Sequence, residues 1–415
     1  MEYTITAPKT LEGTINLPAS KSISNRALII KALAGGNTPP ENLSDCDDTE
    51  VIIKALKEMP DTIDIGAAGT SMRFLTAYLA VTQGEHTLTG SKRMKQRPIA
   101  SLVEALQALG ADIRYTENAG FPPLHIKGGK YDGGHLTIPG NISSQYISAL
   151  LMIGPVLKNG LHLHLTGDIV SRPYIDLTLW VMHAFGAEAE WADIDTVIVR
   201  PSPYRDQPFF VESDWSAASY WYEMMALSNN PNNKIRLTGL MDGSRQGDST
   251  ARYIFSMLGV KTTFATQKKE VPTEIEIRRY ERHLPRLDFD FGNVPDIAQT
   301  LVVCCCMKGI PFHFEGLKTL KIKETDRIAA LKRELLKLGF PIRDIDGNQL
   351  VWDGQRTTPT NEPIDTYKDH RMAMAFAPAA FVLPSITIRD PQVVTKSYPR
   401  FWEHLKNVGF SIEER

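Results

Sequence analysis

The chain has 415 residues, with 46 Lys plus Arg against 48 Asp plus Glu and a formal net charge of −2 at pH 7. This balance argues against a general nucleic-acid binder, which carries a basic excess, and no apolar run approaches the roughly 20 residues of a membrane-spanning helix. At roughly 150 residues per domain, the length predicts two or three domains. Because no basic-then-apolar leader follows Met1, we expect a cytoplasmic protein without nucleic-acid or membrane partners.

Six stretches begin with polar residues and continue into small apolar ones, as buried helices do. Five of them carry Ser, Thr or Asp at or near the start, and these residues satisfy the open amides of a helix N-terminus. Such an N-terminus presents unpaired amides and a partial positive charge, which makes it a ready anion site. The six starts are at Ser20, Gly69, Ser143, Ser216, Pro295 and Asp369.

A second class of stretches is amphipathic and ends in an apolar residue followed by glycine, the usual left-handed helix cap. Successive glycines are 76, 73, 80 and 70 residues apart, so a unit of roughly 75 residues predicts between five and six copies. A reduced first copy is expected to end near residues 57–60 without a glycine. The five glycines are Gly110, Gly186, Gly259, Gly339 and Gly409.

The two classes alternate, so each unit is predicted to hold a buried helix, an amphipathic helix and connecting strands, in an α/β fold. Accidental spacing in an ordinary α/β protein is the alternative. The four cysteines do not form a disulfide scaffold. Residues 304–306 are consecutive cysteines in an apolar stretch, which indicates reduced thiols in a core. Without metal-ligand spacing of Cys or His, no metal site is expected.

Lysine and arginine residues are concentrated beside the buried helix starts and in the loops between them, as at Lys21, Arg97 and Arg371. A near-neutral protein with this pattern is predicted to bind a phosphorylated metabolite, because each charge-assisted hydrogen bond contributes roughly 1.5–3 kcal/mol. Asp296 and Glu324 stand among these cations. Each is either an ion-pair partner or a group that transfers a proton.

The segment 323–327 is predicted to be helical. Lys323 and Arg327 are four residues apart and would then share one helix face. Asp326 is expected to cap the helix or to orient its neighbours.

Seven motifs in this order resemble those of the 5-enolpyruvylshikimate-3-phosphate synthases, within the enolpyruvyl transferase family. They are LPASKSISNRA (17–27), AGTSMR (68–73), RMKQRPI (93–99), SSQ (143–145), SRPY (171–174), KETDR (323–327) and DHRMAM (369–374).

The resemblance implies two lobes of three βαβαββ units each, with the N-termini of the buried helices directed at the cleft between the lobes. One lobe would comprise residues 1–19 and 222–415, and the other residues 20–221. It also implies transfer of the enolpyruvyl group of phosphoenolpyruvate to the 5-hydroxyl of shikimate 3-phosphate, with release of phosphate, by addition and elimination through a tetrahedral intermediate. This is a step of aromatic amino acid biosynthesis. No cofactor is implied, the two substrates are the only partners, and a monomer is expected.

Site residues also follow from the resemblance. Asp296 would take the hydroxyl proton, Glu324 would deliver and recover the methyl proton, and Lys21 and Lys396 would assist as catalytic residues. A side chain at position 69 would crowd phosphoenolpyruvate. Shikimate 3-phosphate would be bound by Lys21, Ser22, Arg26, Ser143, Ser144, Gln145, Ser171, Tyr174, Asp296, Thr319 and Lys323. Phosphoenolpyruvate would be bound by Lys21, Gly69, Thr70, Arg97, Gln145, Arg327, Arg371 and Lys396.

The chain departs from the family pattern at two positions near the substrates. Ala67 stands where the family usually has Asn, which removes an amide donor beside phosphoenolpyruvate and beside glyphosate, which the family binds in the same place. Thr319 stands where Asn often contacts shikimate 3-phosphate. Two other functions are weighed: enolpyruvyl transfer to UDP-N-acetylglucosamine, and a non-catalytic phosphometabolite-binding relative. The first typically uses a loop cysteine, and residues 93–99 contain none.

Overall fold

The structure is a computed structural model that describes residues 1–36 and 38–415. The chain forms two compact units. Unit 1 comprises Met1–Pro18 and Glu212–Arg415, and unit 2 comprises Ala19–Val211. The chain therefore passes from unit 2 back into unit 1 between residues 211 and 212. This is about ten residues before the predicted boundary between residues 221 and 222. The difference arises because Trp215–Leu227 is one continuous buried helix that belongs entirely to unit 1.

Twelve α-helices occur within residues 1–36 and 38–415, and buried and amphipathic helices alternate along the chain as predicted. They are α1 (Lys21–Leu33), α2 (Asp47–Glu58), α3 (Gly69–Val81), α4 (Ala100–Ala108), α5 (Ser144–Ile153), α6 (Arg172–Ala184), α7 (Trp215–Leu227), α8 (Ala251–Met257), α9 (Ala298–Lys308), α10 (Arg327–Lys337), α11 (His370–Phe376) and α12 (Phe401–Asn407). The odd-numbered helices are buried over most of their length.

The strands are short, at three to seven residues. In chain order they are β1 (Glu2–Thr6), β2 (Glu12–Asn16), β3 (Thr62–Asp64), β4 (Glu85–Thr89), β5 (Asp112–Tyr115), β6 (Leu124–Lys127), β7 (Gly134–Pro139), β8 (Leu161–Thr166), β9 (Ala189–Asp193), β10 (Thr196–Val199), β11 (Lys234–Leu240), β12 (Val260–Phe264), β13 (Thr273–Arg279), β14 (Leu287–Asp290), β15 (Phe312–Glu315), β16 (Arg343–Ile345), β17 (Gln349–Trp352), β18 (Ile386–Arg389) and β19 (Ser411–Glu414).

Four four-stranded sheets share one topology, which is the structural form of the repeat. Their strand orders are β3-β4-β6-β5, β7-β8-β10-β9, β2-β11-β13-β12 and β14-β15-β17-β16. In each sheet the first pair is parallel and the next two pairs are antiparallel. Because a buried helix joins the parallel strands and an amphipathic helix follows the second, each copy is a βαβαββ unit. In the copy that contains β2, the whole of unit 2 lies between β2 and α7.

Two copies are reduced. In unit 1 the sheet β18-β1-β19 has three strands, and a parallel bridge from Ile364 to Ile388 stands where the first strand would be. In unit 2 the copy that contains α1 and α2 shows, among its described residues, a parallel bridge between Glu41 and Phe210 in place of a sheet. Pro39 and Pro40 precede Glu41, and proline cannot donate a ladder hydrogen bond. The sixfold repeat is therefore complete in four copies.

The glycine caps are confirmed. All five glycines have positive φ, between 82° and 102°. The first copy instead ends α2 with Met59 in the left-handed conformation at φ 42°, at the predicted place and without glycine.

Each unit has its own hydrophobic core, built around its buried helices. In unit 2, α1, α3 and α5 pack against one another, and in unit 1 α9 packs against both α7 and α11. The thiols of residues 304–306 lie on α9, fully buried and reduced, as expected. No helix within the described ranges combines the length and apolarity needed to cross a membrane.

Candidate functional site

The N-termini of the buried helices in unit 2 converge. The side-chain amide of Gln145, in the first turn of α5, donates to Thr70 Oγ1 in the first turn of α3 at 3.1 Å. Lys21, the first residue of α1, forms an ion pair with Asp48 of α2 at 3.1 Å, and Ser71 Oγ of α3 donates to the Asp48 carbonyl oxygen at 2.7 Å. Three partially positive helix ends therefore share one region.

Arg97 lies beside Gly69 at the start of α3. Its side chain is buried, and its Nε has no hydrogen-bond partner among the described residues. A methyl group on Gly69 would overlap the Arg97 guanidinium. Glycine at this position therefore lets a buried cation approach the helix N-terminus, where a bound anion would meet both.

The serines that the resemblance predicts to bind a phosphate group also lie at helix N-termini. Ser143 caps α5 by accepting from the Gln145 amide at 3.4 Å, and Ser144 is the first residue of that helix. Ser171 precedes α6 in the left-handed conformation at φ 56°, an uncommon state for a residue with a Cβ. It is buried, and its carbonyl oxygen accepts from the Tyr174 amide at 3.0 Å.

Arg26, which is predicted to bind shikimate 3-phosphate, lies in the interior of unit 2 with its guanidinium bonded to other protein groups. It is 2% exposed, and its guanidinium donates to Thr178 Oγ1 at 2.7 Å, to Ser148 Oγ at 3.0 Å and to the carbonyl oxygens of Ser22 and Tyr174. Burial lowers the pKa of Arg26 to about 10. These bonds tie α1, α5 and α6 together, which gives Arg26 a structural role whatever its contact with substrate.

In unit 1 the starts of α7, α9 and α11 likewise converge. Arg371 of α11 pairs with Asp296, just before α9, at 3.1 Å, and lies 3.5 Å from Ser216 Oγ of α7. We call the side chains gathered there the Arg327 group. It comprises Asp296, Lys323, Glu324, Arg327, Asp369, Arg371 and Lys396.

Arg327 lies at the centre of this group and is 1% exposed. Its guanidinium donates to Asp369 at 2.7 and 3.3 Å, to Glu324 at 2.9 Å and to Asp296 at 3.5 Å. Burial alone would lower the pKa of Arg327, but the carboxylates, with Asp369 foremost, raise it above its usual value. Arg327 is therefore permanently charged and holds the two predicted proton-transfer groups in one frame.

The two predicted proton-transfer carboxylates face different sets of cations. Asp296 is bound by Lys323 at 3.3 Å and by Arg371 and Arg327. Glu324 is bound by Arg327 and by Lys396 at 3.3 Å. The structure thus brings together Asp296, Glu324 and Lys396, which the resemblance assigns to proton transfer.

The prediction that Lys323 shares a helix face with Arg327 is wrong, because α10 begins only at Arg327. Lys323 precedes the helix in extended conformation and reaches Asp296 from there. Asp326 caps α10 as expected and accepts from the Ala329 amide at 3.0 Å. Thr319 lies in the 3-10 turn Lys318–Ile322, and its hydroxyl is buried without a hydrogen-bond partner in the described part of the chain.

Two carboxylates at these sites were not predicted. Asp48 is the buried partner of Lys21. Asp248 is also buried and bonds to Ser216, and burial, together with the charge of Asp296, raises its pKa to about 7. Asp48 lies in the first turn of α2 and Asp248 in the 3-10 turn Gly247–Thr250 before α8. Acidic residues are common at such positions, so the sequence carried no sharper signal for them.

The charges of the Arg327 group and of the converging helix starts in unit 2 both favour the binding of anions. The Arg327 group holds four cations and three carboxylates, and in unit 2 the converging helix starts hold Lys21, paired with Asp48, and the buried Arg97. Within residues 1–36 and 38–415, no cluster of three or more His, Cys, Asp or Glu is arranged to hold a metal ion.

Sequence comparisons agree with the motifs. The family profile described as EPSP synthase (3-phosphoshikimate 1-carboxyvinyltransferase) matches residues 5–63 and 58–405. A 3-phosphoshikimate 1-carboxyvinyltransferase of Bacteroides fragilis is 57% identical over 414 residues, which cover 100% of this chain and 99% of the relative. A protein of the same name from Photobacterium damsela subsp. piscicida is 36% identical, with 96% and 97% of the two chains covered.

Solved structures share the fold. EPSP synthase from Acinetobacter baumannii superposes with a TM-score of 0.79 at 20% identity and covers 100% of both chains. The enolpyruvyl transferase NikO from Streptomyces tendae gives a TM-score of 0.74 at 17% identity, with 99% of this chain and 98% of that chain covered.

Proposed function

Because the chain belongs to the EPSP synthase family, we propose that it transfers the enolpyruvyl group of phosphoenolpyruvate to the 5-hydroxyl of shikimate 3-phosphate and releases phosphate. The observation that carries this proposal is that Asp296 and Glu324 are both bound to Arg327 and are flanked by Arg371 and Lys396. One region of unit 1 thus offers two carboxylates for proton transfer and cations for an anionic substrate.

Asp296 takes the proton from the 5-hydroxyl in this proposal. A general base must be ionised, and Lys323 and Arg371, at 3.3 and 3.1 Å, favour the carboxylate form of Asp296. As the proton leaves, the hydroxyl oxygen bonds to C2 of phosphoenolpyruvate, and the double-bond electron pair takes a proton at the methylene carbon. The product of this addition is the tetrahedral intermediate.

Glu324 supplies the methylene proton and later recovers it, assisted by Lys396. In the structure Glu324 is bound to Arg327 and Lys396. The phosphate and carboxylate of phosphoenolpyruvate would compete for the same cations, so their binding favours proton uptake by Glu324. In the second half of the reaction the methyl group loses a proton to Glu324, the double bond re-forms, and the bond from C2 to the phosphate oxygen breaks.

Most of the residues proposed to bind shikimate 3-phosphate belong to unit 2, and Asp296, Thr319 and Lys323 belong to unit 1. Ser143, Ser144 and Ser171 hold the phosphate of shikimate 3-phosphate, which is supported by their positions at helix N-termini. The other residues proposed to bind that substrate are Ser22, Arg26, Gln145, Tyr174, Thr319 and Lys323.

In this proposal phosphoenolpyruvate also contacts residues of unit 2, at the converging N-termini of its buried helices. Arg97, Thr70 and Gly69 lie at the start of α3 or against it. Lys21 would contact both substrates, held in place by Asp48. In unit 1 the clamp on this substrate consists of Arg327, Arg371 and Lys396. All proposed contacts come from one chain, which favours a monomer as the working unit.

The test is phosphate release by the purified full-length chain. We expect release only when phosphoenolpyruvate and shikimate 3-phosphate are both present, and none when UDP-N-acetylglucosamine replaces the second substrate. Asp296→Asn should abolish most turnover, whereas Asp132→Asn, at a position 75% exposed, should not change it. Turnover with UDP-N-acetylglucosamine, or binding of both substrates without turnover by the unmodified protein, would contradict the proposal.

A further inference from the structure

The turn before α11 holds two consecutive residues in the left-handed conformation. Tyr367 has φ 53° and Lys368 has φ 59°, and neither is glycine. Such residues are strained and persist only where their surroundings fix them. Asp369 follows directly. It caps α11 through the Arg371 amide at 2.9 Å and accepts the Arg327 guanidinium.

A buried carboxylate on α10 binds this turn. Glu334 is 0% exposed, and its Oε1 accepts from the Tyr367 hydroxyl at 2.5 Å. Its other oxygen accepts from the Asp365 backbone amide at 3.0 Å and from Lys337 Nζ at 2.7 Å. Burial and the hydrogen bond to Glu334 raise the pKa of Tyr367 to about 12, so its hydroxyl keeps the proton that it donates.

Helix α10 therefore binds the segment 365–369 at two levels. Arg327, its first residue, binds Asp369, and Glu334, seven residues later on the same face, binds Tyr367 and Asp365. Lys337 strengthens the second level by donating to Asp365 Oδ2 at 2.8 Å and to the Pro363 carbonyl oxygen. The strained pair Tyr367–Lys368 lies between these two anchors.

We propose that Glu334 and the Tyr367 hydroxyl are positioning residues, which hold the strained turn so that Asp369 fixes Arg327 and Arg371 in the geometry that binds the anionic substrate. They do not touch substrate themselves. The identity of that anion as phosphoenolpyruvate rests on the proposed function, but the mechanical link from Glu334 to Asp369 does not.

A purely structural role for Glu334 would predict lower stability without a specific effect on the turn. The two roles can be separated because glycine adopts the left-handed conformation without strain. Lys368 is exposed, so Lys368→Gly removes the share of the strain that Lys368 contributes and leaves the core untouched. Lys368→Ala keeps the strain and serves as the matched control for loss of the lysine side chain.

The experiment compares Tyr367→Phe and Glu334→Gln, each alone and combined with Lys368→Gly or Lys368→Ala. Amide hydrogen exchange is followed in peptides covering residues 365–376, and KM for phosphoenolpyruvate is measured alongside kcat. For Tyr367→Phe we expect faster exchange in this segment and a rise in KM of about threefold to tenfold, the range that one lost hydrogen bond produces, with kcat within about twofold.

Lys368→Gly should restore part of the exchange protection and part of the KM, and Lys368→Ala should restore neither. Unchanged exchange and KM in both Tyr367→Phe and Glu334→Gln would overturn the inference, as would equal restoration by glycine and alanine. If the unmodified protein shows no turnover but the variants show the expected changes in amide exchange over residues 365–376, the proposed function fails and the positioning role stands. If turnover is present and exchange does not respond, the positioning role fails alone.

Discussion

Arg371 Nη2 lies 3.1 Å from Asp296 Oδ2 and 3.5 Å from the Ser216 hydroxyl, which is bonded to Asp248. One guanidinium thus stands between the proposed base and a second buried carboxyl group. The negative charge of Asp296 contributes to the high pKa of Asp248. A neutral Asp248 leaves more of the positive charge of Arg371 available to Asp296 and to a bound anion.

Asp248→Asn is expected to change how stability depends on pH. With a pKa of about 7 in the folded chain against 3.8 ordinarily, Asp248 binds a proton in the folded state that the unfolded chain has released, so its contribution to stability falls as pH rises from about 4 to 7. Asparagine has no such dependence. Between pH 5 and 8 the variant should therefore gain about 3 kcal/mol relative to the natural chain, measured by urea unfolding.

Asp132→Asn, on the surface, is the control for that measurement and should show no such gain. A difference between Asp248→Asn and the natural chain that is the same at pH 5 and pH 8 would show that Asp248 is ionised in the folded state throughout.

Glu324→Gln is expected to lower kcat by at least about 100-fold, the usual contribution of a general acid or base. Substrate binding should change only modestly, because glutamine keeps the size of the side chain and can still accept from Arg327. Steady-state kinetics with both substrates varied would measure this, with Glu281→Gln at an exposed position as the control. Near-normal turnover would remove Glu324 from proton transfer.

Gly69→Ala should weaken phosphoenolpyruvate binding without unfolding the protein. The added methyl group meets the end of the flexible Arg97 side chain, which can move at little cost in stability. Displacing that guanidinium should raise KM for phosphoenolpyruvate about tenfold, equivalent to roughly 1.4 kcal/mol. The melting temperature should stay nearly constant.

A double-mutant cycle with Arg97→Lys tests the cause of that change. Lysine lacks the guanidinium nitrogens that the methyl group would meet, so Gly69→Ala should have little further effect in the Arg97→Lys background. Fully additive effects would mean that the methyl group acts on the substrate directly.

Arg26→Lys should destabilise the fold. Lysine cannot reproduce the spread of donors that Arg26 directs to Thr178, Ser148 and two carbonyl oxygens, and acceptors left unpaired in the interior cost about 1–3 kcal/mol each. We expect a loss of roughly 2 kcal/mol or more in the free energy of unfolding, with Arg205→Lys at the surface as the control. A change confined to KM for shikimate 3-phosphate would instead make Arg26 a ligand only.

The features that were predictable from the sequence are those encoded locally. A left-handed glycine follows five of the six amphipathic helices, and a side-chain cap precedes four of the six buried ones. Each lies within a few residues of the helix it marks, so the repeat was visible before the structure. Asp326 was predictable as a cap for the same reason. The repeat containing α1 was harder to see because Met59 adopts the left-handed conformation without being glycine.

The remaining features depend on contacts between distant parts of the chain. Lys21 and Asp48 are 27 residues apart, and Asp248 meets the Asp296 region through Ser216 of another helix. Neither pairing has a sequence period. The unit boundary was misplaced because α7 is buried along nearly all of its length and its start gives no sign of which core it enters. Lys323 was assigned to a helix because its four-residue spacing from Arg327 does not show that α10 begins only at Arg327.

The pairing of β1 has a consequence for biosynthesis. Its neighbours are β18 and β19, so Tyr3 is paired with Ile388 on one side and Glu414 on the other. A ribosome must therefore make nearly the whole polypeptide before its first strand finds either partner, while every sheet of unit 2 can close as soon as residue 199 has emerged. Nascent chains would carry β1 unpaired until β18 has been made, which leaves this segment open to chaperones and to misassembly during synthesis.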